Sequence, residues 1–203
     1  MGLAQPVQRL TAKEYLALER AAEFKSEFYD GEMYAMAGGS EAHSLIASNL
    51  LVALRRLLNG RPCVTFNSDL RVKVLESGLF TYPDLSVVCG ERQFLDDSRD
   101  TLLNPGMIAE VLSPSTEAYD RGAKFSLYKE VASLTEYLLV SQSEPAVDLF
   151  IRHSSSEWRV RSAKGLDSAL ELPELGVTLS LREIYADVTF PSAKLHDANP
   201  VRR

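Results

Sequence analysis

Ile46, Leu50, Ala53, Leu54 and Leu57 recur three and four residues apart, the period of a helix with one buried stripe. Ser40 stands where its hydroxyl can cap the first free N–H groups, and Gly60 and Pro62 end the run. An earlier helix is predicted from Thr11, where Glu14 three residues on completes a capping box, to about Ala22. Between the two lies FKSEFYDGEMYAMAGG, with Asp30-Gly31 separating two alternating stretches. That dipeptide predicts a hairpin turn, because both of its central residues need positive φ.

Further along the pattern turns to strands. CVTFNSDLRVKV alternates, with Leu70, Val72 and Val74 on one face and Asp69, Arg71 and Lys73 on the other, which predicts one strand with one wet face. TYPDLSVVCG reads as a strand begun by Pro83, with Asp84, Ser86 and Val88 on one side. The polar run from Glu91 to Pro105 is expected to be an exposed loop. MIAEVL is a short apolar strand closed by Ser113-Pro114-Ser115, followed by a helix from about Glu117 to Val131 and the strand TEYLLVS. AVDLFIR and EWRVRSA suggest a hairpin, ALELPELGVTLSLREIY a closing segment, and Pro191 to Arg203 a polar tail expected to fray.

This order predicts an α/β fold with a mixed central sheet flanked by helices. The helix between MIAEVL and TEYLLVS is long enough to cross between two parallel strands. A chain of 203 residues without internal repeats or long linkers suits one domain, residues 1–190, with 191–203 as the tail.

Composition narrows the function classes. No stretch is long and apolar enough to span a bilayer, since Ser48, Asn49, Arg55 and Arg56 interrupt the richest one. MGLAQPVQRLTAKEYL lacks the pattern of a signal peptide, so a cytoplasmic protein is expected. Cys63 and Cys89 lie in apolar, strand-like surroundings without metal-ligand spacing, and are expected to be reduced, buried thiols. The net charge of −6 argues against a protein that coats nucleic acid. It leaves room for an enzyme that touches few phosphates or gathers its acids around a cation.

Two acids interrupt apolar strands: Asp84 after Pro83, and Glu110 within Ile-Ala-Glu-Val-Leu. A buried carboxylate is costly unless it is paired or bound to a cation. Alone, Asp84 reads equally as a turn aspartate and Glu110 as an edge-strand glutamate in an ion pair. Together, on neighbouring strands, they could serve Mg²⁺, which uses one or two protein carboxylates and keeps waters for substrate phosphates. Asp120, Lys124 and Tyr128, four apart, form one ridge of the following helix, and the plain reading of that spacing is a surface ion pair. His43 reads as a satisfied helix-end histidine or a ligand, and Glu27 as a solvent-facing strand acid or a site residue. Asp69 reads as part of a solvated, self-paired face. Ser113 and Ser115 lack the strand-turn-helix elbow of a nucleophile and read as helix entry.

FYDGEMYAMAGGS, His43, NSDLRVKV, TYPDLSVVCG, DTLLNP, AEVLSPSTEAYDRGAKFSLY and LTEYLLV together resemble the bacterial Uma family of restriction endonucleases, from Thr11 to about Tyr185. That family is assigned to the PD-(D/E)XK nuclease superfamily. The resemblance implies a restriction-endonuclease-like core and Mg²⁺- or Mn²⁺-dependent endonuclease activity on DNA, in a protein expected to form homodimers. It implies Asp84 and Glu110 as metal ligands and Lys124 as the catalytic lysine. The superfamily's lysine usually lies two residues after the second acid, where this chain has Leu112; Lys124 on the next helix takes its place. Glu27, His43, Asp69 and Asp120 are implied as accessory residues. The competing expectation is a catalytically inactive nucleic-acid- or protein-binding module on the same fold.

Overall fold

A computed structural model describes residues 9–190. The polar tail expected from Pro191 onward lies outside the described residues. Helix α1 (Ala12–Ala21) starts as its capping box requires, with the Glu14 carboxylate accepting from the Thr11 N–H at 2.8 Å. Strands β1 (Ser26–Tyr29) and β2 (Glu32–Ala35) form the hairpin, turning through Asp30 (φ 49°) and Gly31 (φ 84°). Helix α2 (Glu41–Leu57) is capped by the Ser40 hydroxyl.

The next strands are β3 (Cys63–Asn67), β4 (Arg71–Lys73), β5 (Phe80–Thr81), β6 (Leu85–Cys89), β7 (Thr101–Leu102) and β8 (Met107–Leu112). A helical segment follows: α3 (Glu117–Tyr119), one π turn (Asp120–Lys124) and α4 (Phe125–Tyr128). The chain closes with β9 (Glu136–Ser141), β10 (Ala146–Arg152), β11 (Trp158–Lys164), β12 (Ala169–Leu172), β13 (Val177–Ser180) and α5 (Leu181–Ile184).

The central sheet has six strands in the order β11-β10-β9-β8-β6-β3. Among the described residues its only parallel pair is β8–β9, joined by the helical crossover from 117 to 128. Strand alternation divides the core in two. Met107, Ala109 and Val111 of β8 pack with Ile46, Leu50 and Leu54 of α2. Ile108 and Leu112 pack with Phe125, Tyr128 and Tyr137 on the other side. Glu110 shares that second face. A five-stranded sheet, β2-β1-β5-β4-β7, carries α1, whose Tyr15 stacks on Phe28 at 4.8 Å between ring centroids.

Four local expectations change. CVTFNSDLRVKV is two strands in two sheets, because Asn67 and Asp69 hydrogen-bond each other across a turn that redirects the chain. Arg71 is therefore not on a wet face: it is 2% exposed, donating to the Thr101 hydroxyl at 2.9 Å and the Tyr82 hydroxyl at 3.0 Å. The stretch from Glu91 to Pro105 is not wholly exposed, since Thr101 and Leu102 are buried and pair in parallel with β4. The crossover helix stops at Tyr128 rather than Val131.

The cysteines also differ from expectation. Antiparallel pairing of β3 and β6 sets Cys63 opposite Cys89, with Cα atoms 4.0 Å apart, and they form a disulfide rather than free thiols. Among the described residues no helix is long and apolar enough to cross a membrane.

Glu136, at the start of β9, is buried with one carboxylate oxygen accepting from the Glu174 N–H at 3.0 Å and the other without a partner. Burial pushes its carboxyl up to about 7. The folded chain then holds a proton that the unfolded chain releases, so stability falls as pH rises from about 4.5 through about 7. Glu136→Gln removes that charge penalty but leaves an amide to satisfy. It is expected to stabilise the protein by about 1–2 kcal/mol at pH 8 and by little at pH 4, read as thermal unfolding at both pH values.

Candidate active site

In the register of β6 and β8, Leu85 lies opposite Ala109, which brings Asp84 opposite Glu110 just outside β6. Each acid is held by the other's strand. Asp84 Oδ2 accepts from the Val111 N–H at 2.7 Å, and Glu110 Oε2 accepts from the Asp84 N–H at 3.2 Å. His43, from the first turn of α2, places Nε2 3.2 Å from the same Asp84 Oδ2.

The helical crossover covers Glu110 from the other side. Lys124 Nζ lies 2.9 Å from Glu110 Oε1, 3.2 Å from Glu27 Oε1 and 3.6 Å from Asp120 Oδ1. The Tyr128 hydroxyl donates to Glu110 Oε1 at 2.9 Å, and the Thr81 hydroxyl donates to Glu27 Oε1. Asp120 and Lys124 are both buried, within the π turn. Such wide turns leave main-chain carbonyls poorly matched and recur at functional sites. Here the Tyr137 hydroxyl donates to the Asp120 carbonyl at 3.0 Å, fixing the turn to the sheet.

Burial pushes the Glu110 carboxyl up, while Lys124 pulls it back toward the charged form. Burial also works against the Lys124 charge, but the carboxylates of Glu110, Glu27 and Asp120 outweigh it and hold the ammonium well above its ordinary range. Asp120 is raised by burial. The hydrogen bond to Asp84 raises His43.

These groups line one cleft of about 490 Å³, open along the β2–α2 loop. That loop approaches His43 closely: a Cβ built on Gly39 would stand 2.8 Å from the imidazole Nδ1. Gly39→Ala is therefore expected to push His43 away from Asp84. The imidazole would then lose the bond that raises its pKa, and NMR titration would show that pKa falling.

The donor set suits a hard cation. Both contacts to Asp84 go to Oδ2, leaving Oδ1 without a protein donor among the described residues. Oxygen from two carboxylates at the base of an open cleft matches the habit of Mg²⁺, which retains waters and substrate oxygens. Among the described residues no three His, Cys, Asp or Glu side chains converge into a ready cation cage.

Asp84, Glu110, Lys124, Glu27, His43 and Asp120 thus all line the cleft. Asp69 does not: it is bonded to Lys25 at 2.5 Å on an exposed surface. The sequence reading missed Thr81, which steadies Glu27, and Gly39. A hydroxyl on the strand beside β1 carried no pattern of its own.

A mixed sheet with two facing acids at a strand pair, and a crossover helix over them, defines a restriction-endonuclease-like α/β protein. The fold is shared with a crystal structure of "a putative nuclease belonging to DUF820" from Anabaena variabilis ATCC 29413. The TM-score is 0.69 at 20% identity, covering 87% of this chain and 97% of that one. The chain belongs to the Uma2 family, described as "Putative restriction endonuclease", whose model matches residues 12–183. Uncharacterized protein slr1290 of Synechocystis sp. is 38% identical over 185 residues, 91% of this chain and 96% of that protein. Uncharacterized protein sll1609 of the same organism is 36% identical over 162 residues, 80% of this chain and 92% of that protein.

Proposed function

We propose that this cleft is the site of a metal-dependent endonuclease that hydrolyses DNA phosphodiester bonds, with Asp84 and Glu110 holding Mg²⁺ or Mn²⁺. The observation that carries this reading is the facing pair of acids at the base of an open cleft, with a buried ammonium 2.9 Å from one of them. When bound, such an ion supplies Lewis-acid charge to a scissile phosphate and acidifies water.

The chain's own residues do the rest. The Val111 N–H and His43 fix one oxygen of Asp84 and leave the other available. The Asp84 N–H and Tyr128 hydroxyl fix Glu110. Lys124 carries a positive charge held in place before substrate arrives, so stabilising charge that develops on phosphoryl oxygens costs no reorganisation. Glu27 and Asp120 hold that ammonium in place and keep it charged. The fixed position of Lys124 supports assigning it the role that Leu112 cannot fill.

The test is a Mn²⁺ titration of wild type and Asp84→Ala beside a DNA cleavage assay. Wild type is expected to bind Mn²⁺ and cut, and the variant to do neither while remaining folded. A second reading, an inactive binding module, draws support from the Lys124–Glu110 contact, by which the buried charges satisfy one another without an ion. Nucleic-acid binding indifferent to chelator, with no Mn²⁺ bound and no cleavage, would favour that reading.

A further inference from the structure

The cleft's charge is at odds with an intact duplex as its substrate. Four carboxylates line it, Glu27, Asp84, Glu110 and Asp120, and the one Lys or Arg among the lining residues is Lys124. That ammonium is committed to three of the four carboxylates. Duplex DNA presents about one negative charge per 1.7 Å of axis, and proteins that grip it do so by neutralising several phosphates. Among the described residues the cleft offers only Lys124 and the His43 imidazole, which is itself bound to Asp84. The two acids are also recessed, with the Asp84 side chain 17% exposed and that of Glu110 5% exposed, so a phosphate must enter the cleft to reach them.

What the cleft offers is aromatic surface. Tyr34 lines it from the hairpin side and is 49% exposed; Tyr119 lines it from the crossover helix and is 38% exposed. The Tyr34 hydroxyl donates to Glu32 Oε2 at 2.9 Å, which holds the ring in position before any ligand arrives. Met36, also partly exposed, continues the apolar rim beside Tyr34. Exposed rings are one of the two means by which proteins hold single strands without regard to sequence, beside a positively charged groove, because every unpaired base has a face to stack.

We infer that the preferred substrate is a single strand of DNA, in a loose end, gap or flap, whose bases stack on Tyr34 and Tyr119 while the backbone passes the carboxylates. This rests on the nuclease reading for its chemistry, but the stacking contacts act on binding whether or not the strand is cut. Duplex, with its bases already stacked on one another, cannot use the tyrosines and finds in the cleft few cations free to take its phosphates.

The experiment pairs binding with cleavage. Fluorescence anisotropy in Ca²⁺ compares a single-stranded oligonucleotide, the same sequence as blunt duplex, and the same sequence as RNA. Cleavage in Mn²⁺ then compares the single strand, the blunt duplex and a flapped duplex. The single strand is expected to bind at least about tenfold tighter than the duplex, and Tyr34→Ala and Tyr119→Ala each to weaken it by about tenfold. Tyr34→Phe keeps the ring but loses its tether to Glu32, so it is expected to bind the single strand more tightly than Tyr34→Ala and more weakly than wild type, and Mn²⁺ binding is expected to be the same in all variants. A shallow salt dependence, as for one or two phosphate contacts, would accompany this binding. Duplex bound or cut as well as single strand, or alanine variants equal to wild type, would overturn the inference and leave the nuclease reading standing. Tighter binding of RNA would overturn the assignment to DNA. The predicted binding preference without cleavage of any substrate would uphold the inference and overturn the nuclease reading.

Discussion

Glu110→Gln is expected to reduce Mn²⁺-dependent cleavage by at least about a thousandfold, the scale on which losing a preorganised charge at a reacting phosphate is felt. The substitution keeps shape and keeps an oxygen that can accept from Tyr128 or the Asp84 N–H. It removes the negative charge that an ion between the strands would need. Mn²⁺ affinity, measured by calorimetry, is expected to fall with the activity. Folding should survive, because Lys124 keeps Glu27 and Asp120 as partners at 3.2 and 3.6 Å. A buried pair broken outright costs about 3–5 kcal/mol, and the remaining carboxylates should hold the loss to roughly 1–2 kcal/mol. A Glu110→Gln protein that melts within that margin yet cuts at the wild-type rate would remove Glu110 from the reaction.

The acids were legible in the sequence for a physical reason. A carboxylate inside Met-Ile-Ala-Glu-Val-Leu has no cheap explanation, and its strand partner Asp84 follows a proline that marks where a strand begins. The parallel pair joined by a helix was legible from length and order alone. The burial of Lys124 was not. A four-residue spacing of Asp and Lys looks the same whether its ridge meets water or core. The decision is made by groups distant in sequence: Glu27 from the hairpin, Thr81 beneath it, and Tyr137 from β9. Arg71 shows the same limit from the opposite direction. Its alternation with Asp69 and Lys73 suggested one strand, but a side-chain turn at Asn67 and Asp69 moved it to another sheet and buried it. The cysteine pairing required the register of β3 against β6, which no local pattern encodes.

Lys124→Met should separate the roles of this ammonium in catalysis and in folding. Methionine keeps much of the stem's length and apolar packing and deletes only the charge. Cleavage is expected to fall by about a hundred- to a thousandfold, comparable to removing one oriented donor from a reacting oxyanion. Glu110 and Asp120 then lose the ammonium they share with Glu27, so the carboxyls of these two, already raised by burial, rise further above their unfolded values. The folded protein would bind more protons than the unfolded chain, and its stability would decline as pH rises. At pH 8 the cost is expected to be about 3–5 kcal/mol, most of it recovered near pH 3, where both states are largely protonated. A bound Mn²⁺ can supply the missing charge, so millimolar Mn²⁺ should raise the melting temperature of Lys124→Met more than that of wild type. Lys124→Arg, which retains the charge, should keep stability near wild type and recover part of the cleavage. If Mn²⁺ stabilised both proteins equally, the ion and the ammonium would not share these carboxylates, and the metal site would have to be sought away from Glu110.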